Sequence, residues 1–584
     1  MQNITEKQIP HLFFEFATST GETKPVTFLN PITIISTHKV DEVLQCLEEV
    51  QTYVNEGYYA AGFLSYESAP AFHSSYKVKQ GHKMPLCWFG IFKEPLQEEP
   101  RNMGSFSLSK WEPDVTQEEY RSSIQRIKEE IAKGITYQTN YTIRLQAEFQ
   151  GDSFALFNKK KRAQEAKYCA YIHTGEYSVL SASPELFFHI EGDCITTRPM
   201  KGTLKRGKTF EEDQARSKWL HYSKKNRAEN VMIVDLLRND LGIVAETGSV
   251  SVQKLFEVEQ YPTVHQMTST VIATLKDSTE LVDVLKALFP CGSITGAPKR
   301  STMELIAELE TAPREVYCGA IGFIAPNREA IFNVPIRTVL IENNSSKAIY
   351  GVGGGITWDS TVEDEYDEVL AKSAILTREV SDFQLLESLL LHDGNYFLLE
   401  EHLQRLGKSA TYFRYNFPLE KVKGKLKEFA EHKKIGQWKV RLLLYKDGEI
   451  SIEGQAISQM KSPKKVILAT KPIDSEHLYL YHKTTNRAVY QQFQPQSPEI
   501  LDVLLWNEKS ELTEFMNGNV VVEMDGKRWT PPVSSGLLAG TFREHLLKEG
   551  QIHEKILTVE DIEKFSRVWF INSVRKWIEV EIIE

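Results

Sequence analysis

Apolar residues recur along this chain in two rhythms, and their alternation predicts an α+β protein. Every-other-residue patterns mark strands with one covered face, while spacings of three and four mark one face of a helix. Residues 187–197 read as two strands about a Gly192-Asp193 turn, delivering the segment Arg198-Pro-Met-Lys-Gly-Thr203 to a strand end. Thr209-Phe-Glu-Glu212 has capping-box form and opens a helical region that runs, with a break, to Asp240. On its later part Glu229, Ile233 and Leu236 share a face. Residues 292–299 lead into an amphipathic helix carrying Met303, Ile306 and Leu309, with Pro298 suited to its first position. Residues 350–357 follow a strand, and a further helix covers 365–377. Beyond it the pattern turns to hairpins, at 439–453 about Asp447-Gly448 and at 520–529 about Asp525-Gly526.

At 584 residues the chain exceeds what one core supports. The change of pattern places a boundary near Ser381-Asp382-Phe383, giving domains at 1–378 and 385–584 with a short linker at 379–384. A net charge of −10 argues against a nucleic-acid partner, which calls for a clustered basic face. The segment from Met1 to Lys7 has no basic-then-apolar leader, and no run of about 18 apolar residues occurs, so no membrane association and a cytoplasmic location are expected. Six widely spaced cysteines without a CxxC pair fit a reducing compartment.

Candidate chemistry gathers in the first domain. Lys201 follows a proline-fixed bend and precedes glycine, so its amine can approach a ring closely; as a lone lysine it would ordinarily face solvent. Glu229 on an apolar stripe needs a partner, because a buried unpaired carboxylate is expensive. Glu365, Glu368 and Lys372 share a helix face, which fits either a solvated ion-pair surface or a Mg²⁺ site. The loop from Gly292 to Lys299 reads as an anion cradle, and Gly353-Gly354-Gly355 lets backbone approach a ligand.

Together these segments resemble the chorismate-utilising family, which includes anthranilate, isochorismate and aminodeoxychorismate synthases. The resemblance spans roughly 50–378 and rests on Tyr137-Gln-Thr-Asn140, Ser183-Pro-Glu-Leu-Phe187, Arg198 to Thr203, Glu229 to Asp235, Val264-His265, Gly292 to Lys299, Tyr317-Cys-Gly-Ala320, Phe332 to Arg337 and Gly351 to Thr357. It implies a two-sheet sandwich with flanking helices, and Mg²⁺ served by Glu229, Glu365 and Glu368. Substrate carboxylates would be held by Thr295, Tyr317, Arg337, Lys372 and the Gly353-Gly354 amides, with Gly202 beside Lys201. It further implies Lys201 as nucleophile, Glu185 as general acid and base, and His265 near the ring. Anthranilate-forming members resemble Pro-Ile-Ala-Gly-Thr at this place and aminodeoxychorismate-forming members Pro-Ile-Lys-Gly-Thr; this chain has Pro199-Met-Lys-Gly-Thr203. Asn226 stands where many relatives carry an acid, which puts Mg²⁺ affinity in question. Residues 1–50 carry no readable match.

The second domain resembles the fold-type IV pyridoxal-phosphate enzymes, an α+β fold, through Glu401 to Leu406, Tyr481 to Arg487, Leu512 to Asn517 and Gly536 to Arg543. By that resemblance Lys483 would carry pyridoxal 5'-phosphate, Arg405, Gly540 and Thr541 would bind its phosphate, and Glu514 would meet its pyridine nitrogen. The fusion implies 4-aminobenzoate synthesis from chorismate through 4-amino-4-deoxychorismate. No cysteine lies beyond Cys318 or in a Gly-x-Cys-x-Gly turn, so ammonia is expected from solution or a separate glutamine amidotransferase. A homodimer through the second domain is a further expectation. Two other readings stay open: an anthranilate or isochorismate synthase fused to an aminotransferase, and a catalytically silent scaffold.

Overall fold

The computed structural model describes residues 10–18, 21–100, 104–378, 382–458, 460, 462–495 and 497–583. The start of the chain through Lys7 and half of the expected linker, 379–381, lie outside them. The chain forms two compact units: 1–206 with 216–380, and 207–215 with 381–584.

The first unit is built on two ten-stranded sheets among the described residues. Alternation along the strands shows how they pack. Leu12 and Phe14 of the strand His11–Ala17 join one apolar cluster with Ala61 and Phe63 of the other sheet, while Phe13 joins a second cluster under helices. Likewise Ala60 and Leu64 turn to a third cluster with the helices Val43–Asn55 and Lys224–Val244. The two sheets therefore share an inner core, and each is covered outside by helices, a layered sandwich. Strands buried on both faces lose polar alternation, as Cys87–Phe92 does with all six residues buried.

The expected hairpin is present: Leu186–Glu191 pairs antiparallel with Cys194–Arg198, and Gly192 takes φ +62°. Met200–Lys205 then pairs with Val264–Thr274. The Glu212 amide donates to Thr209 Oγ1 at 3.1 Å and opens the helix Phe210–Tyr222; the break falls at Ser223, whose hydroxyl caps the helix Lys224–Val244. The helix expected at 365–377 begins earlier, at Val362 behind the Thr361 cap, and ends at Ser373 before a short 3₁₀ turn. Pro298 is the cap of Lys299–Leu309 rather than its first residue.

The second unit has a four-stranded and an eight-stranded sheet. Gln437–Leu444 and Ile450–Ala456 form the first expected hairpin, Gly518–Met524 and Lys527–Thr530 the second, with Asp525 and Gly526 at φ +55° and +71° as a mirror-image turn requires. The helices Leu399–Phe413 and Leu419–His432 cover the smaller sheet. Residues 207–215, which the hydropathy pattern assigned to the first domain, belong to this unit. The Tyr412 hydroxyl donates to Gly207 O at 2.8 Å, and His482 Nε2 donates to Lys208 O at 3.0 Å.

Candidate active sites

In the first unit a cavity of about 120 Å³ opens between the glycine strand Lys347–Ile356, the hairpin strand Met200–Lys205 and the helices Lys224–Val244 and Val362–Ser373. Lys201 lines it and is only 8% exposed. Gly202 permits the bend beneath it: its φ is +95°, and a Cβ there would come within 3.0 Å of Asn226 Oδ1. Burial lowers the basicity of the Lys201 amine, and Glu229 and Glu185 oppose that fall. A Cβ on Gly355 would lie 3.1 Å from Lys201 Nζ, so the glycine leaves room for the amine.

Glu185 is buried, and its Oε1 has no hydrogen-bond partner among the described residues. Burial raises its carboxyl to about 7, with Ser293 and Lys201 opposing. Half-buried Glu229 is likewise raised by desolvation. Glu365 and Glu368 converge on Gly354, where a Cβ would meet Glu365 Oε2 at 3.1 Å and Glu368 Oε1 at 3.4 Å. Burial and then the Glu368 charge push Glu365 up to about 7; for Glu368, Lys372 at 2.5 Å outweighs burial and holds it down. Lys372 Nζ also donates to Gly353 O at 2.7 Å, and Arg337, itself at φ +55°, donates to Lys372 O at 2.7 Å. Tyr317 packs on Gly351, whose Cβ would sit 2.3 Å from the ring.

As these side chains stand, no three His, Cys, Asp or Glu residues among those described form a metal-holding group. The donor set nonetheless fits a divalent cation. Two of the expected carboxylates converge and repel, and oxygen donors suit Mg²⁺.

The second unit holds a cavity of about 720 Å³. Lys483 lines it, its amine lowered to about 8 by burial and then by the Arg405 charge. Arg405 makes a two-pronged pair with Glu387, at 2.9 and 2.6 Å, and donates to Ala539 O at 3.2 Å. His402 meets Glu387 at 2.7 Å and Thr541 Oγ1 at 3.2 Å. Thr541 starts the helix Thr541–Lys548, whose cap is Gly540; a Cβ on Gly540 would strike Asn519 Oδ1 at 2.0 Å. Glu514 accepts from the Tyr490 hydroxyl at 3.0 Å, the Leu538 amide at 3.2 Å and Asn519 at 3.3 Å, and burial raises it to about 8. A helix N-terminus behind glycine, a lysine of lowered basicity and a buried carboxyl around one cavity fit pyridoxal phosphate.

The family described as chorismate binding enzymes matches residues 7–378, almost two thirds of the chain. The chain belongs to that family. Its second part, 384–583, matches the class IV amino-transferases. Aminodeoxychorismate synthase component 1 of Salmonella typhimurium is 42% identical over 264 residues, 45% of this chain and 58% of that protein. Anthranilate synthase component 1 of Aquifex aeolicus is 34% identical over 289 residues, covering 50% and 57%. The chain thus spans just over half the length of these relatives. Anthranilate synthase component I of Streptococcus pneumoniae superposes with a TM-score of 0.53 at 23% identity, covering 65% of this chain and 94% of the other, which shows the shared fold.

Against that family frame most expected residues converge, and three do not. His265 does not line the cavity; Gln266 does, donating from Nε2 to Thr203 Oγ1 at 3.2 Å. The reason is strand alternation: Gln266 stands opposite Thr203 on the cavity face, and His265 opposite Leu204 on the other. Thr295 closes its own turn, donating to Cys291 O at 3.2 Å, so the glycine loop offers Ser293 and Ile294 instead. Gly354 turns toward the two glutamates, and Gly353 and Gly355 line the cavity. The family match also begins at residue 7, within the stretch where no likeness was legible. Glu387, which anchors Arg405, carried no sequence signal, and Gln266 was marked only by adjoining the matched pair Val264-His265.

Proposed function

We propose that the first unit aminates chorismate to 4-amino-4-deoxychorismate and that the second removes pyruvate to give 4-aminobenzoate. The observation that carries this reading is the Lys201 amine, buried beside Glu185 and Glu229 in a glycine-floored cavity. The relatives named aminodeoxychorismate synthase component 1, at 40–42% identity, support it over anthranilate synthesis.

A ring substrate enters the cavity that Lys201 and Lys372 line. Lys201 Nζ then adds to C2 while both ring double bonds shift and the C4 hydroxyl leaves, protonated to water by Glu185. Ammonia adds at C4, the C2–N bond breaks and the amine returns to Lys201, so chorismate and ammonia yield the amine and water. Mg²⁺, held by Glu229, Glu365 and Glu368, would neutralise the ring carboxylate. Arg337, Lys372 and Tyr317 hold substrate carboxylates. The ammonia comes from solution or from a separate glutamine-hydrolysing subunit.

In the second unit Arg405 and Thr541 would hold the phosphate of pyridoxal phosphate, Lys483 would carry the cofactor and Glu514 would meet its ring nitrogen. The cofactor supplies an electron sink. Lys483 would take the proton from C4 of the substrate, the C3–O bond breaks, and the enolpyruvate that leaves takes up a proton to become pyruvate as the ring aromatises.

The test is to incubate the protein with chorismate, Mg²⁺, ammonium and pyridoxal phosphate. 4-Aminobenzoate is expected, and anthranilate as sole product would refute the reading. Lys201→Ala should abolish amination yet still convert supplied 4-amino-4-deoxychorismate.

A further inference from the structure

The cavity of the second unit is lined by six basic side chains, Arg405, Lys439, Lys483, Arg487, Arg441 and Arg575, against two acidic ones. The acids are already engaged: Glu514 as above, and Asp502 by the amides of Val503, Met516 and Asn517. Arg405 is matched by Glu387, and Arg487 donates to Met516 O at 2.6 Å. Apart from Lys483, placed above at the cofactor, Lys439, Arg441 and Arg575 remain along the cavity wall. Lys439 and Arg441 alternate onto one face of their strand, about 7 Å apart at the usual rise. Among the described residues Arg441 meets Glu453 in a long, exposed contact of 3.5 Å.

Arg575 is carried to the same place by a built turn. Its amide donates to Asn572 Oδ1 at 2.8 Å, and its Nη1 to Ser458 O at 2.6 Å. Ser573, two residues earlier, donates to Ser388 O at 3.3 Å, and Ser388 is the cross-strand neighbour of Arg441. The turn is thus tied to the very residue opposite Arg441.

We infer that Lys439, Arg441 and Arg575 form an anion subsite that selects an amine bearing two carboxylates over an ordinary monocarboxylate amino acid. The inference deepens the proposed lyase reading and rests on it for the identity of the amine. A single carboxylate would leave part of this charge unmatched, whereas a carboxylate on ring C1 and a second one carried from C3 satisfy strand and turn together.

The test uses the full chain loaded with pyridoxal phosphate and titrated with isophthalate or benzoate, binding being read by calorimetry and by the cofactor absorbance. Isophthalate should bind at least about tenfold more tightly. Arg441→Gln and Arg575→Gln should erase that preference, and Arg441→Lys should restore part of it. The same two glutamine variants should raise KM for supplied 4-amino-4-deoxychorismate by about tenfold or more, with kcat changed less. Equal affinity for the two acids, or an unchanged preference in both glutamine variants with native melting curves, overturns the subsite. Failure of the lyase reading looks different: the isophthalate preference persists and no 4-aminobenzoate appears.

Discussion

Burial moves Lys201 and Glu185 in opposite directions, the amine toward lower basicity and the carboxyl up to about 7, so both approach the range where protons exchange at neutral pH. The lysine was legible because its flanking Pro199 and Gly202 announce a bend with close approach. His265 stands one position from the cavity-lining Gln266, since a motif match gives a segment while only the strand's pairing fixes which residue of it faces inward. That difference is testable. Gln266→Ala should lower kcat/KM for amination by about tenfold or more, the scale of one lost polar contact to the reacting species. His265→Asn should leave it within about threefold once the amount of folded protein is matched. Comparable losses in both would put the two residues back on equal terms.

At the scale of elements, the glycine strand works by omission. Gly355→Ala places a methyl 2.1 Å from Gln138 Nε2 and 3.1 Å from Lys201 Nζ, side chains that can shift, so folding should survive while amination falls. Gly353→Ala instead meets Tyr141 O at 2.0 Å, a backbone atom in the paired strand, and should destabilise the unit outright. Soluble yield and melting temperature separate the two cases. The helix Leu399–Phe413 brings a different device, the pairing of Arg405 with Glu387 on the neighbouring strand. Burial alone would raise Glu387, but Arg405 and His402 outweigh it and hold its carboxyl down to about 2. His402 is itself below its ordinary value through burial, so it serves as a neutral donor and Arg405 supplies the charge. A depressed carboxyl stabilises the fold above its unfolded value of 4.5 and loses that contribution as pH falls through the folded one. Stability of the second unit should therefore drop between about pH 4.5 and 2, by at most about 3 kcal/mol from this group, and Glu387→Gln should flatten that limb in acid-unfolding curves.

For the whole molecule, two units with separate cores predict ligand-specific unfolding. Pyridoxal phosphate at a hundred times its Kd should stabilise only the second unit, by about 2.7 kcal/mol, and a chorismate analogue with Mg²⁺ only the first. Calorimetry with each ligand checks this, and a uniform shift of both transitions would contradict it. The hydropathy pattern placed a boundary near Ser381-Asp382-Phe383 because helix-and-strand alternation gives way to hairpins there. It missed residues 207–215, whose capping signal reads the same whichever core receives the helix. Glycine and aspartate tie that segment together, the Gly207 amide donating to Asp213 Oδ1 at 3.0 Å.

Those nine residues make the first unit discontinuous in sequence, and a gene-level scission between 380 and 382 would not recover two self-sufficient polypeptides. The downstream fragment would lack the backbone that Tyr412 and His482 grip, and His482 adjoins Lys483. Separately expressed halves should accordingly complement each other poorly, and a nine-residue peptide of this stretch, supplied in trans, is the natural reagent for restoring the downstream fragment.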